Sequence, residues 1–262
     1  MVALGIFAFI LGLAASDPVA ATPAPAAAVD AGPSPQRVFG LIRARFRSHT
    51  VPPFESYTLI RKTYALDGNV EHNNSYGRRV WVRNSDGAAL TRLMIDDRER
   101  GPLAFDRPAF NEARDPGPPT ADLFDSAPAA ASPVDASNYR VDSLQIEGDQ
   151  VHLHLTPVRD AEHNRLREVF ADRTTYDVRK LIAADKLFVD RGPTYPVKMT
   201  ITMGVVQSIP VVSEIRGVVG GNYNQDSGII DFTFTDIKFP ASLPDWYFDP
   251  RSYRQHQGDG PS

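Results

Sequence analysis

Residues 194–221 run TYPVKMTITMGVVQSIPVVSEIRGVVGG and residues 228–239 run GIIDFTFTDIKF. Both stretches alternate apolar and polar residues, are rich in β-branched and aromatic side chains, and break at Gly, Pro and Asn clusters. Alternation puts successive side chains on opposite faces of a strand, so each run has one apolar side. The pattern predicts about ten strands, over 56–66, 77–83, 89–96, 139–147, 150–156, 165–171, 175–183, 197–205, 211–218 and 229–238. Short Gly- and Asn-rich breaks, such as Asp67-Gly68-Asn69, Ser85-Asp86-Gly87 and Gly148-Asp149, join them as antiparallel hairpins. No repeat of propeller or solenoid length is present.

The apolar rows follow from the alternation. Val151, Leu153 and Leu155 point away from His152 and His154. Val197, Met199, Ile201 and Met203 oppose Lys198, Thr200 and Thr202, while Ile230, Phe232 and Phe234 oppose Asp231, Thr233 and Thr235. A sheet with one apolar face must be covered by protein, a partner or a ligand. Little helix is available for that cover. Residues 35–48 (PQRVFGLIRARFRS) place Val38, Leu41, Ile42 and Phe46 at helical spacing opposite a set of arginines, with Pro35 near the start. The other candidate is residues 97–136, where seven prolines and nine alanines in forty positions interrupt the strand pattern. That composition predicts a flexible insertion, either a flap docking through Leu103, Phe105, Phe110, Leu123 and Phe124 or an excursion with no role.

The chain opens MVALGIFAFILGLAAS, an apolar run that fits a signal-peptide core and is short for a bilayer-spanning helix. Small residues follow, with Val19-Ala20-Ala21 as a cleavage site, so 1–21 reads as a signal peptide. No Lys or Arg precedes the run, which leaves an uncleaved N-terminal anchor as the alternative. Residues 22–35 are an Ala/Pro-rich linker, 36–253 one β-rich domain, and 254–262 a polar tail. With no cysteine, the chain has no disulfide and no thiolate metal site. Residues 36–96 carry ten Lys/Arg against five Asp/Glu, and 97–262 carry eighteen against twenty-five. These charges are scattered rather than blocked, as on a solvated sheet, so no nucleic-acid partner is expected.

Chemistry is harder to find. His152 and His154 share a strand face, but a zinc site wants a third protein ligand and the sequence marks none. Asn222 to Gly228 looks like the front of a calcium loop, yet its glycine falls one position late and the closing glutamate is missing, so a polar turn is the better reading. No G-x-S-x-G, H-E-x-x-H, P-loop or G-x-G-x-x-G is present, and Asp172, Asp177, Asp231 and Asp236 stand singly. Trp246, Tyr247 and Phe248 form an aromatic knot, read as a plug closing one end of the sheet, with an aromatic lip at a ligand mouth as the alternative. No catalytic residue, metal or cofactor is expected.

In order, these features resemble the outer-membrane lipoprotein-sorting superfamily, which includes the LolA and LolB carriers, LppX-type lipid-binding proteins and RseB-type stress sensors. An exported N-terminus, an amphipathic helix and a meander of antiparallel strands carry the resemblance. YTLIRKTYALDG (57–68) with RRVWVRNSDG (78–87) looks like the first hairpin of that family. HLHLTP followed by RLREVFADRTTYDVRKLIAAD (165–185) looks like its central one. The resemblance implies a mainly β fold: a single antiparallel sheet curled into an incompletely closed half-barrel, with the N-terminal helix against its concave side. Arg61, Arg79 and Arg83 compete for the place of the family's ligand-contacting arginine.

The expectation is a monomeric, exported, non-enzymatic carrier or binding protein for lipid or lipoprotein acyl chains in the bacterial cell envelope. Its cavity would be lined by Val151, Leu153, Leu155, Val197, Met199, Ile201, Met203, Ile230, Phe232 and Phe234. The expected partner is a lipid or lipidated protein, with a membrane-associated protein as a further one. The alternative is an envelope sensor or protein-interaction module on the same fold. A hydrolase with a spatially assembled site ranks last, for want of any nucleophile context.

Overall fold

The computed structural model describes residues 33–64, 75–95, 98–102, 116–124, 138–188, 194–220 and 228–256. Among these residues eleven strands make one antiparallel sheet: β1 (Phe54–Tyr64), β2 (Tyr76–Arg83), β3 (Ala88–Ile95), β4 (Arg98–Pro102), β5 (Tyr139–Glu147), β6 (Gln150–Pro157), β7 (Leu166–Asp172), β8 (Val178–Phe188), β9 (Thr194–Val206), β10 (Ile209–Val219) and β11 (Ile229–Lys238). They lie in the order β4-β3-β2-β1-β11-β10-β9-β8-β7-β6-β5. The edges β4 and β5 do not pair with each other, so the sheet curls without closing. Helix α1 (Pro35–Arg47) precedes the sheet; a 3-10 turn (Asp245–Phe248) and α2 (Pro250–Gln255) follow it. Among the described residues no helix is long and apolar enough to cross a membrane.

Nearly every neighbouring pair of strands is also consecutive in the chain. The exception is β1 with β11, whose register sets Leu59 opposite Phe234 and Arg61 opposite Phe232. This pairing fuses two meanders, β1 to β4 and β5 to β11, into one sheet. It also puts the two ends of the β4–β5 connection at opposite edges, so that connection passes from one edge to the other. Its described part, residues 116–124, hydrogen-bonds to β10 through the Val212 N–H and the Pro119 carbonyl at 2.7 Å.

The inner face carries the core. It gathers the rows from β6, β9 and β11 with Tyr57, Leu59, Val80, Val82, Val169, Leu181 and Ile215. Helix α1 lies on this face. Ser34 caps it by accepting from the Arg37 N–H at 3.4 Å, and Pro35 occupies the first turn, where its missing N–H is harmless. The buried stripe is Val38, Phe39 and Ile42, with Phe46 partly buried, whereas Leu41 is 38% exposed. The spacing alone puts Leu41 inward; the helix is rotated so that Phe39 takes that place. Phe39 meets Tyr139 edge-on at 6.1 Å and Phe124 at 6.2 Å, and an aromatic ring returns more by burial than a leucine.

Two features depart from the sequence reading. Strand β4 (RERGP) lies inside the stretch expected as insertion; its composition is poor for a central strand but suits an edge, which needs a partner on one side only. Within the same stretch, two of the five residues expected to dock on the apolar face do meet it: Phe124 is buried and Leu123 packs on the core. The aromatic run at 246–248 does not plug an end. Tyr247, with Tyr253 of α2, packs on Trp81 and Leu90, on the outer face of β2 and β3. Those two strands are apolar on both sides, as strands covered on both faces are.

Residues 1–32, the expected turn at Asp67-Gly68-Asn69, the polar turn from Asn222 to Ser227, the tail from 257 and the remainder of the expected flap lie outside the described residues.

The rotated helix gives a first prediction. Phe39→Ala should destabilise the fold by about 3 kcal/mol and Leu41→Ala by less than about 1 kcal/mol, in urea unfolding followed by circular dichroism. Equal losses would show that the stripe is the one read from spacing.

Candidate functional site

The inner face is where this chain spends its apolar side chains, and α1 with residues 116–124 is its cover among the described residues. The sheet brings nine of the ten residues expected to line a cavity into one apolar cluster, Val197 being the exception. Val151, Leu153, Leu155, Ile201, Phe232 and Phe234 are buried in it. Met199, Met203 and Ile230 are partly buried against it, and Val197 at the start of β9 is half-buried.

Two small cavities open at the C-terminal end of α1, both touched by Phe46, His49 and Pro210. One, of about 140 Å³, reaches Arg47, Thr120 and Asp122. The other, of about 200 Å³, reaches Arg45, Asp177 and Val205. Neither is lined by the ten expected residues, and both fall short of the roughly 300–1,000 Å³ of an ordinary ligand site. The β9–β10 hairpin forms part of the rim. It turns through Gln207 and Ser208, both left-handed at φ 51° and 66°, the sense that a two-residue hairpin needs.

Ion pairs hold the cover near this mouth. Arg45 Nε donates to Asp177 at 2.7 Å, and Arg47 Nε donates to Asp122 at 3.1 Å. The first joins α1 to the loop before β8, and the second joins α1 to the crossing segment. Both are exposed, so each contributes little alone.

A stronger tie is buried. Glu55 is fully buried at the start of β1, and the Thr120 hydroxyl donates to both its carboxylate oxygens at 3.1 Å. Burial pushes the Glu55 carboxyl from its ordinary 4.5 up to about 7, against hydrogen bonds from Thr120 and Asn84 that pull it down. The crossing segment is thus pinned to the sheet by a group that changes charge near neutrality.

Of the three competing arginines, only Arg61 faces inward. Its guanidinium lies over the rings of Tyr76 and Phe232 at 5.6 and 5.8 Å, and its Nε is buried without a hydrogen-bond partner. Arg79 bonds Thr58 and lies over Trp81, and Arg83 bonds Asp86 and lies over Phe248, both on the outer face. On that outer side, β6 and β7 also bring His152, His154 and Glu168 together. Glu168 is a side chain that the sequence reading did not connect with the two histidines, and the β6–β7 register is the signal that locates it.

No family model matches the chain, and no curated protein matches it. Solved structures are similar to it in overall trace. A LolA superfamily protein from Nitrosomonas europaea is similar over 83% of this chain and 98% of its own, at 11% identity and a TM-score of 0.42. A domain assigned to outer-membrane lipoprotein sorting from Vibrio parahaemolyticus covers the same shares at 10% identity and 0.39. MucB of Pseudomonas aeruginosa, in its complex with MucA, is similar over 79% of this chain and 95% of its own, at 11% and 0.19. Members of the superfamily that the sequence resembles are therefore among these structures.

Glu55 generates the second prediction. Its folded pKa is raised, so its contribution to stability is fully present below about 4.5 and is lost as pH rises through about 7. The loss amounts to about 3 kcal/mol between those limits. Glu55→Gln should remove it, so urea unfolding from pH 4.5 to 8 should give a wild-type curve that falls relative to the variant's. Parallel curves would show that the carboxyl is not held neutral.

Proposed function

We propose that this chain is a non-enzymatic carrier or binding protein for lipid or lipoprotein acyl chains, exported to the bacterial cell envelope. The inner face is the acyl site, and α1 with residues 116–124 is a cover that the ligand displaces. The observation that carries this reading is the economy of the cover. An eleven-stranded open sheet presents its apolar rows to one thirteen-residue helix and the Leu123–Phe124 corner, among the described residues.

The energetics of exchange are balanced. Val38, Phe39, Ile42 and Phe124 leaving the face lose roughly 1.5–3 kcal/mol each, and an entering chain gains about 0.8 kcal/mol per methylene. An acyl chain of roughly ten methylenes therefore offsets the displaced cover, and longer chains bind with a surplus. Arg61 supports the reading from the polar side. A buried donor with no partner on an apolar face suits the ester or carboxylate oxygen at the head of such a chain.

The test is a chain-length series of fatty-acid probes, with native mass spectrometry of protein purified from its own host. Affinity should rise steeply only beyond about ten carbons, and Phe232→Asp should abolish uptake in protein that remains folded. Protein that carries no lipid and binds no probe, yet holds a stable protein partner without lipid, would overturn the carrier reading and favour the sensor.

A further inference from the structure

The outer face of the β6–β7 hairpin has no part in acyl binding, and it holds a set of side chains that the carrier reading leaves unused. We propose that His152, His154 and Glu168 form a binding site for a borderline divalent transition-metal cation, with Zn²⁺ as its representative.

Strand alternation and register assemble the site. His152 and His154 project from β6 on the side opposite Val151, Leu153 and Leu155, and Glu168 on β7 pairs directly across from His154. One ligand atom from each of the three lies within 4.8 Å of the others. His152 Nε2 and Glu168 Oε2 are 2.9 Å apart, the distance of a hydrogen bond through one proton. A cation bound by nitrogen and oxygen at about 2.0–2.2 Å holds them roughly 3.0–3.4 Å apart, so it can take the place of that proton with little movement. The His154 ring, centred 4.3 Å from that of His152, needs only a side-chain rotation to close on the same point.

The surroundings make this more than two surface histidines. The side chains of His152 and Glu168 are only 12% and 23% exposed. Phe170, opposite His152 in the register, stacks on its ring at 3.9 Å and 15°, which fixes the imidazole plane. The nearby Lys180 ammonium lies 3.7 Å over the Phe170 ring, and the Asp142 carboxylate is engaged by Arg140 and Thr156. Two neutral imidazoles and one carboxylate are the ligand set of borderline cations, whereas Mg²⁺ and Ca²⁺ prefer oxygen alone. Three protein ligands leave further positions for water or an incoming ligand group.

The test uses the full chain and zinc chloride, by calorimetric titration and thermal unfolding. Wild type should bind one Zn²⁺ per chain and unfold at a higher temperature when loaded. His154→Ala and Glu168→Gln should each weaken binding by at least about tenfold while unfolding normally without metal. His163→Ala, which alters the histidine paired with Asp160 at 2.7 Å in a different loop, should leave binding unchanged. Should a variant fold poorly, the wild-type imidazole ¹⁵N resonances answer the question instead, because Zn²⁺ should shift those of two histidines and no others. Absence of stoichiometric binding, equal binding by the His154 and Glu168 variants, or equal weakening by His163→Ala would overturn the site.

Discussion

The pairing of β1 with β11 is the contact on which the rest of this structure depends. Every other strand pairs with a neighbour in sequence, so without it the chain would be two separate meanders. With it, eleven strands share one inner face, and the termini of the β4–β5 connection are driven to opposite edges. The connection then has to cross, and the part of it described beside α1 presents Phe124 to the core at the place where α1 presents Phe39 and Phe46. Sheet topology and cover are therefore one problem, solved by one strand pair.

The cover is held by forces of unequal kind. Apolar burial by Val38, Phe39, Ile42 and Phe124 supplies most of its attachment, and the ion pairs of Arg45 and Arg47 set its orientation while adding little energy. Glu55 opposes them above neutral pH, because a carboxylate buried with hydrogen-bond donors but no cation is poorly compensated. A cover held mainly by area and loosened by one buried charge is suited to exchange with another apolar occupant, which is the behaviour proposed for it.

Much of this was legible in the sequence. The period-two alternation of Val151/Leu153/Leu155 or Ile230/Phe232/Phe234 has one physical meaning, and the strands and their inward rows follow from it. What escaped depended on tertiary partners. Leu41 and Phe39 are both apolar and two positions apart, and only the rings of Tyr139 and Phe124 decide which turns inward. RERGP carries no strand signal because an edge strand is specified by its neighbour. The knot at 246–248 could not be assigned to a face without knowing that Trp81 and Leu90 leave an apolar patch on the outside. Glu55 and Glu168 are ordinary glutamates in the sequence; burial by a distant segment distinguishes the first, and cross-strand register the second.

Because the chain contains no cysteine, pairs of introduced cysteines can be spin-labelled cleanly. Leu41→Cys on the exposed side of α1 and Val218→Cys, an exposed position on β10, report the distance from cover to sheet. Pulsed electron–electron resonance on this pair, with and without saturating palmitate, measures directly whether the helix gives up the inner face. Displacement predicts a longer distance distribution in the bound protein. An unchanged distribution in protein shown to hold palmitate would contradict it, since the chain would then be bound with the helix still in place.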